Sequence, residues 1–595
     1  MTLTDYSDTT PDVAITYDSL GRQSTVTQTN QSRITYAYDP ANLALDTEII
    51  EYGLDQNGTY DFSRLIDRSR DSLQRDTGWQ LRNGTTAENQ ATYGYHPSDG
   101  RLSTVAGTPS GSFTYTYVPN SNLIASVTSP VHSVVNTWEP NRDVLASKEN
   151  KLVTTTISQY DYAVNSIGQR TGVSTSGTAF PNVPAWIWGY DSLGQVTSAD
   201  SSVTTSDRAY EYDTIGNRKK AANSLTLPST DNYAANALNQ YSSIGNQQSS
   251  IVNPVHDFDG NMTSGPLPTA PSANSTLAWD AENRLISTSV NGSTTTHRYD
   301  AQSRKIATTT GTATTLYLYD AWNCIAEYRL HNSSFSLHTS RIWGTDLSGS
   351  MQGAGGVGGL LSESQISDSQ ISNFYPTYDG NGNTSEYLTA TGTIAAHYEY
   401  DPFGNILVAT GPKADDFSYR FSTKPLDSGT GLYYYGYRYY DPVTGRWPSR
   451  DPIEESGGVN LYGFVGNDGL SSADYLGMQN LTLGPNGDLI PGPQKPPGNP
   501  DGSFNPETGD IPQCREKCVK YWDDAIKDVN KKIDMIVDLA ATAVGAAGIG
   551  SGGVAAPPAG YLGSRAVRDA ERLRSLFNEK AKEEKSKCDK LCPCE

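Results

Sequence analysis

A six-residue pattern, Tyr-Asp-x-x-Gly followed by Arg, Asn or Gln, returns along this chain, and a fixed internal period narrows the possible folds more than any average property does. It stands at Tyr17-Asp18-Ser19-Leu20-Gly21-Arg22, at Tyr190-Asp191 through Gly194-Gln195, at Tyr212-Asp213 through Gly216-Asn217, and at Tyr400-Asp401 through Gly404-Asn405. Looser copies are Tyr38-Asp39, Trp279-Asp280, Tyr299-Asp300, Tyr319-Asp320 and Tyr378-Asp379. Neighbouring aspartates lie 20 to 22 residues apart, as from Asp18 to Asp39, Asp280 to Asp300 and Asp379 to Asp401. Aspartate at the first position of a turn, with glycine three residues later, suits a type I turn in which the carboxylate accepts local backbone N–H bonds. The flanks, such as Arg33-Ile34-Thr35-Tyr36-Ala37-Tyr38, alternate with period 2 and are rich in Thr, Tyr and β-branched residues. Each repeat therefore reads as one β-hairpin. A lone hairpin is marginal, so neighbours must pair edge to edge, with tyrosines at equivalent places stacking as ladders. On this reading the repeated tyrosines and aspartates serve packing and turns, and no helix longer than about three turns fits between residues 12 and 477.

Composition bounds the rest. The chain has 595 residues, too many for one ordinary core. Its formal net charge of −21 argues against a general nucleic-acid binder, which needs a basic face to displace counterions from phosphate. Residues 478–595 hold 16 Lys/Arg and 17 Asp/Glu, leaving 28 and 48 of the chain's 44 and 65 to the first 477 residues. The excess acid therefore belongs to the repeats. Five of the six cysteines lie after residue 478. Met1-Thr2-Leu3-Thr4-Asp5 has neither a basic nor an apolar signal region, so export by a classical route is not written there.

With the repeat in hand, the chain closely resembles the Rhs/YD-repeat proteins of bacteria. The resemblance covers residues 12–477 and is strongest after Trp279. Carrying it are Tyr319-Asp320-Ala321-Trp322-Asn323, Trp343-Gly344-Thr345-Asp346, the run Gln352 through Leu361, and above all Arg420-Phe421-Ser422-Thr423-Lys424 through Tyr439-Tyr440-Asp441-Pro442, Gly445-Arg446-Trp447 and Arg450-Asp451-Pro452. The resemblance implies a mainly β fold: a YD-repeat hairpin spiral forming a hollow shell, plugged by the core segment, with a variable C-terminal tail held inside. Such tails are often toxins, released by self-cleavage at their junction. The domains expected are repeats over 1–278, the core domain over 279–477, a Pro/Gly-rich linker over 478–512 and a small α-helical hairpin cargo over 513–595. The chain begins inside a repeat, at Val13-Ala14-Ile15-Thr16-Tyr17-Asp18, so the expectation is a truncated or orphan member whose shell is incomplete.

The resemblance also carries a chemical expectation. Family members cut themselves with one aspartate from the Arg-Asp-Pro motif and one from the junction motif. These match Asp451 and Asp474, with Arg450 placed to orient or polarise the pair, and the cut falls next to Gly477–Met478. Paired carboxylates suit such work because they can share a proton, one acting as base on water and the other as acid. The junction departs from the family's Asp-Pro-x-Gly-Leu, since it reads Asp474-Tyr475-Leu476-Gly477-Met478. The competing reading makes both aspartates turn and ion-pair residues. Other motifs fail. Gly353-x-Gly355-x-x-Gly358 lacks the strand–helix context of a dinucleotide site. The run from Asp379 to Asn383 begins like a calcium loop, but its twelfth position is Ala390, which makes it a tight turn. The seven scattered histidines form no zinc-protease motif. No cofactor or metal is expected.

In the tail, Cys514 and Cys518 open one helix-like segment and Cys588 and Cys592 close another. An antiparallel helical hairpin would bring the pairs together as two disulfides, Cys514–Cys592 and Cys518–Cys588, or as a four-thiolate metal site. Residues 539–563 are uncharged, long enough for membrane contact but broken by Pro557-Pro558, so a hairpin loop competes with a span. The expected function is a scaffold enclosing or presenting its own tail as cargo for antagonism between bacteria. Expected partners are a cognate immunity protein and a secretion-system component, with the chain cytoplasmic before export and then secreted or at the cell surface. The alternative is an adhesive surface repeat protein without toxin activity.

Overall fold

The computed structural model describes residues 1–53, 60–225, 231–245, 251–331, 334–368, 370–483 and 489–491. Two large antiparallel sheets hold most of them, one of 21 strands from Thr2–Thr4 to Tyr241–Gly245 and one of 14 strands from Val255–His256 to Ile406–Thr410. Each is a meander in which a strand pairs with the next along the chain, as Val13–Tyr17 with Gln23–Gln28 and Lys305–Thr310 with Ala313–Asp320. Neither sheet closes on itself among the described residues. The fold is mainly β, and the only helical pieces among those residues are four 3-10 turns of three residues each. None of them is long or apolar enough to cross a membrane.

The motif explains its own turn. At Asp18 one carboxylate oxygen accepts the amides of Leu20 (2.8 Å) and Arg22 (3.0 Å), and the other accepts Arg22 Nε at 2.8 Å. The same arrangement recurs at Asp280 with Arg284, Asp300 with Arg304, Asp213 with Asn217 and Asp401 with Asn405. Glycine stands where the chain turns left-handed, at φ +79° for Gly21 and +87° for Gly404, a conformation that a Cβ would strain. The pairing register shifts by one residue at the motif tyrosine, as between Thr16 and Tyr17 and between Arg298 and Tyr299, so a bulge sets each turn.

The motif also ties one repeat to the next. At several repeats the tyrosine hydroxyl donates to the backbone carbonyl five residues beyond the aspartate of the preceding turn. Examples are Tyr38 to Gln23 (2.8 Å), Tyr212 to Val196 (2.9 Å), Tyr299 to Leu285 (2.6 Å) and Tyr319 to Lys305 (2.8 Å). Trp279, which replaces tyrosine, uses its indole N–H on Met262 in the same way (2.8 Å). The ladder expected between tyrosine rings is built instead of guanidinium on ring. Arg22 lies 4.0 Å over Tyr38, Arg75 4.3 Å over Tyr95 and Arg101 4.3 Å over Tyr117.

Alternate residues of both sheets meet in a common core. Phe62 packs edge-on to Tyr328 at 4.8 Å, Tyr52 donates to the Tyr317 carbonyl, and Asn89 bonds the carbonyls of Ile325 and Arg341. Residues 411–478 leave the repeat pattern and fold into a plug of short hairpins around Phe421, Tyr433, Tyr435, Tyr440, Trp447 and Phe464, all buried. The plug bonds both sheets: Asn467 donates to the Gly216 carbonyl (2.8 Å) and Thr423 to that of Gly382 (2.7 Å). The last element positions the candidate site. Ser472–Tyr475 pairs with Gln479–Leu483, which pairs in turn with Leu489–Pro491, so the junction is the tip of a hairpin. The first residues of the linker region are thus in a strand.

Candidate functional site

The junction hairpin turns through Leu476 and Gly477, both left-handed at φ +59° and +78°, and Met478 N–H closes it on the Tyr475 carbonyl at 3.1 Å. Positive φ at both central residues is a type I′ turn, which leucine tolerates poorly. What holds it is Asp474. Its Oδ1 accepts the amides of Gly477 (2.5 Å) and Met478 (3.0 Å), while Oδ2 is buried with no hydrogen-bond partner. The side chain is 1 % exposed. Burial pushes its carboxyl up to about 7; Arg438 opposes the shift, Asp451 adds to it, and the Gly477 amide and Lys424 oppose it.

Asp451 lies close by. Its carboxylate and the Met478 carbonyl both crowd the point where a Cβ on Gly457 would sit. Its Oδ1 accepts the Ile453 amide at 3.1 Å, its Oδ2 accepts Arg438 at 2.7 Å, and burial raises its carboxyl above the usual value. Arg438 spans the site: beyond the bond to Asp451, its Nε donates to the Gly477 carbonyl, and its guanidinium stacks 4.2 Å over Trp447. The Gly477–Met478 peptide thus has its carbonyl on Arg438 and both flanking amides on Asp474.

The two aspartates singled out from the sequence are brought together with the junction. Arg450 is placed elsewhere: it is exposed, and its aliphatic stem lies against Gly260 in the turn that Asp257 caps. The cation on Asp451 is Arg438, which sequence reasoning missed. The only signal was one arginine inside the tyrosine-rich run Gly436-Tyr437-Arg438-Tyr439-Tyr440, where every neighbour reads as packing. The glycine-rich run at Gly353–Gly358 is an anion cradle already filled, since Asp346 Oδ2 accepts the amides of Ala354 (2.7 Å) and Gly356 (3.0 Å). Asp379 caps its own turn through the amides of Asn381 and Asn383. Cys514, Cys518, Cys588, Cys592 and residues 539–563 lie outside the described residues.

The family description RHS Repeat matches residues 279–315, which contain the turns at Asp280 and Asp300. The chain is an Rhs/YD-repeat protein. Among its relatives, toxin subunit YenC1 of Yersinia entomophaga is 38% identical over 100 residues, 16% of this chain and 10% of that protein. The putative uncharacterized protein YibJ of Escherichia coli is 35% identical over 112 residues, 19% of this Rhs chain and 48% of YibJ. The Rhs chain thus spans a tenth to about half of the length of these relatives. In structure it is similar to the TcdB2-TccC3-Cdc42 crystal structure, with a TM-score of 0.60 at 17% identity, over 80% of this chain and 28% of that one. The likeness is one of fold: a mainly β Rhs chain with large open antiparallel sheets.

Proposed function

We propose that this chain is a β-shell scaffold that carries residues 478–595 as cargo and cuts itself at Gly477–Met478 with Asp451, Asp474 and Arg438. The observation that carries the reading is the junction peptide itself, displayed in a left-handed turn between an arginine on its carbonyl and a buried, half-unpartnered carboxyl on its amides.

The chemistry is hydrolysis. Water placed between the carboxyls attacks the Gly477 carbonyl carbon, and Asp451, ionised beside Arg438, takes the water's proton. Negative charge develops on the Gly477 oxygen, where Arg438 already donates. Asp474, kept protonated near neutral pH by burial, gives its proton to the Met478 nitrogen. The bond breaks to leave a carboxylate on Gly477 and an amine on Met478. Tyrosine in place of proline after Asp474 does not prevent this arrangement, because residue 475 lies in the strand before the turn.

Similarity to a toxin subunit supports a toxin-related role for the chain; the proposal adds that the tail is the cargo, with an immunity protein and a delivery component as partners and release outside the producing cell. The test is a gel and terminal mass spectrometry of the purified full chain. Fragments ending at Gly477 and beginning at Met478 are expected, and Asp451→Asn or Asp474→Asn should each leave the chain intact. A wild-type chain that stays whole after days at pH 5 to 8 refutes self-cleavage and returns both aspartates to a structural role.

A further inference from the structure

The cleavage reading uses two carboxyls and one arginine, yet a second buried cation stands beside them. Lys424 is 4 % exposed, and its Nζ donates to the Gly355 carbonyl at 2.6 Å and lies 5.3 Å over the Tyr435 ring. Burial lowers its ammonium to about 8, with Asp474 and then Asp346 as the charges opposing that shift. It forms no salt bridge within 4 Å among the described residues, so its charge acts on Asp474 through space rather than through a bond.

Lys424 also reaches the junction through the glycine-rich loop. Gly355 is left-handed at φ +63°, and a Cβ there would stand 3.1 Å from Leu476 Cδ2 and 3.2 Å from Lys424 Nζ. A Cβ on Gly436 would meet Leu476 Cδ2 at 3.4 Å and Trp322 at 3.1 Å. Leu476, the residue forced left-handed before the junction peptide, is thus seated in a slot walled by two glycines, and the loop forming one wall is anchored by Asp346 below and by Lys424 above. The backbone stays in its unfavourable turn because the side chain is held.

We propose that Lys424 is a positioning residue for junction cleavage: it ties the loop of residues 353–359 down as one wall of the Leu476 slot and sets a second buried cation beside the aspartate pair. The inference rests on the proposed self-cleavage and deepens it. The charges facing Asp474 are Arg438 from the tyrosine-rich hairpin, Asp451 from the segment after Trp447 and Lys424 from the segment after Phe421; Tyr435 and Asp346 complete the set around Lys424. Removing one cation from that set makes Asp474 hold its proton to higher pH.

The test compares Lys424→Gln, which keeps a donor for the Gly355 carbonyl but loses the charge, with Lys424→Met, which loses both, in the full-length chain. Two readouts are followed against pH: the cleavage rate, and the protonated-carboxyl infrared band obtained by subtracting the spectrum of Asp474→Asn. Lys424→Gln should move the high-pH fall of the rate and the titration of the band upward by about one pH unit. Lys424→Met should do the same and also slow cleavage at the optimum at least about tenfold, as expected when a reacting group is misplaced. Should wild type not cleave, the cleavage reading fails, and the infrared titration alone judges the lysine. A band that titrates at the same pH in wild type and Lys424→Gln overturns the inference, as does an unchanged optimum rate in Lys424→Met where wild type cleaves.

Discussion

Replacing Asp474 by asparagine should make this protein more stable at alkaline pH relative to acidic pH, although it removes a residue on which the proposed reaction depends. The sign follows from the buried carboxyl. In the unfolded chain it ionises near 3.8, while in the folded chain it keeps its proton up to about 7. Between those values the folded state binds the extra proton, so stability falls as pH rises through the window. Each unit of that window is worth about 1.4 kcal/mol, which gives about 4 kcal/mol across the whole of it and about 3 kcal/mol between pH 5 and pH 8. Asparagine keeps the carbonyl that accepts the Gly477 and Met478 amides and has no charge to desolvate. Its amino group replaces the unpartnered Oδ2, and the penalty for that donor is independent of pH and cancels in the comparison. The assay is urea unfolding of intact wild-type and variant chains at pH 5 and pH 8, followed by tryptophan fluorescence. Wild type should lose about 3 kcal/mol more than the variant between the two conditions. Equal losses would mean that Asp474 is ionised in the folded protein, which would remove the proton donor from the proposed mechanism.

Two further outcomes test the surrounding fold. Gly404→Ala should destabilise by at least about 2 kcal/mol, because it combines left-handed strain with a methyl 2.6 Å from the Phe421 ring, whereas Gly21→Ala, with nothing within 4 Å, should cost only about 1 kcal/mol; thermal unfolding of the two variants compares them. His397 lies between Glu386 and Glu399; burial alone would lower its pKa, but the two carboxylates raise it to about 9. The stability it contributes should be fully present below pH 6.5 and lost by pH 9, about 3 kcal/mol in all, and a His397→Gln variant that shows the same slope over that range would refute the ion triad.

How much of the site could be read in advance depends on distance along the chain. The turn chemistry of Asp18 or Asp401 is local: the acceptor, the amides and the glycine lie within four residues, so the motif carries its own explanation. The inter-repeat bonds are nearly as regular, but their acceptor is a carbonyl, which every residue has, so no side-chain type marks it; the tyrosine-to-carbonyl lock and the arginine over the next ring were therefore not anticipated. At the junction, Asp451 and Asp474 were singled out only through resemblance, with the adjacent Arg450 as their cation, whereas the structure puts Arg438 on Asp451. Adjacency in sequence misled because successive residues in an extended segment point to opposite sides. Asp451 faces the plug interior, and Arg450 faces out toward Gly260.

The sequence by itself determined the period, the strand-and-turn character of the repeats and the family to which the chain belongs. Those properties depend on interactions between residues a few positions apart, which are written directly in the order of amino acids. Tertiary structure alone decided which cation sits on Asp451, which carboxyl burial pushes furthest above its usual value at the junction and what seats Leu476. Each of these depends on burial and on groups from separate segments, at residues 346–355, 424, 436–438, 451 and 474–478, and only the packed plug brings them into one low-dielectric place where burial raises the Asp474 carboxyl to about 7.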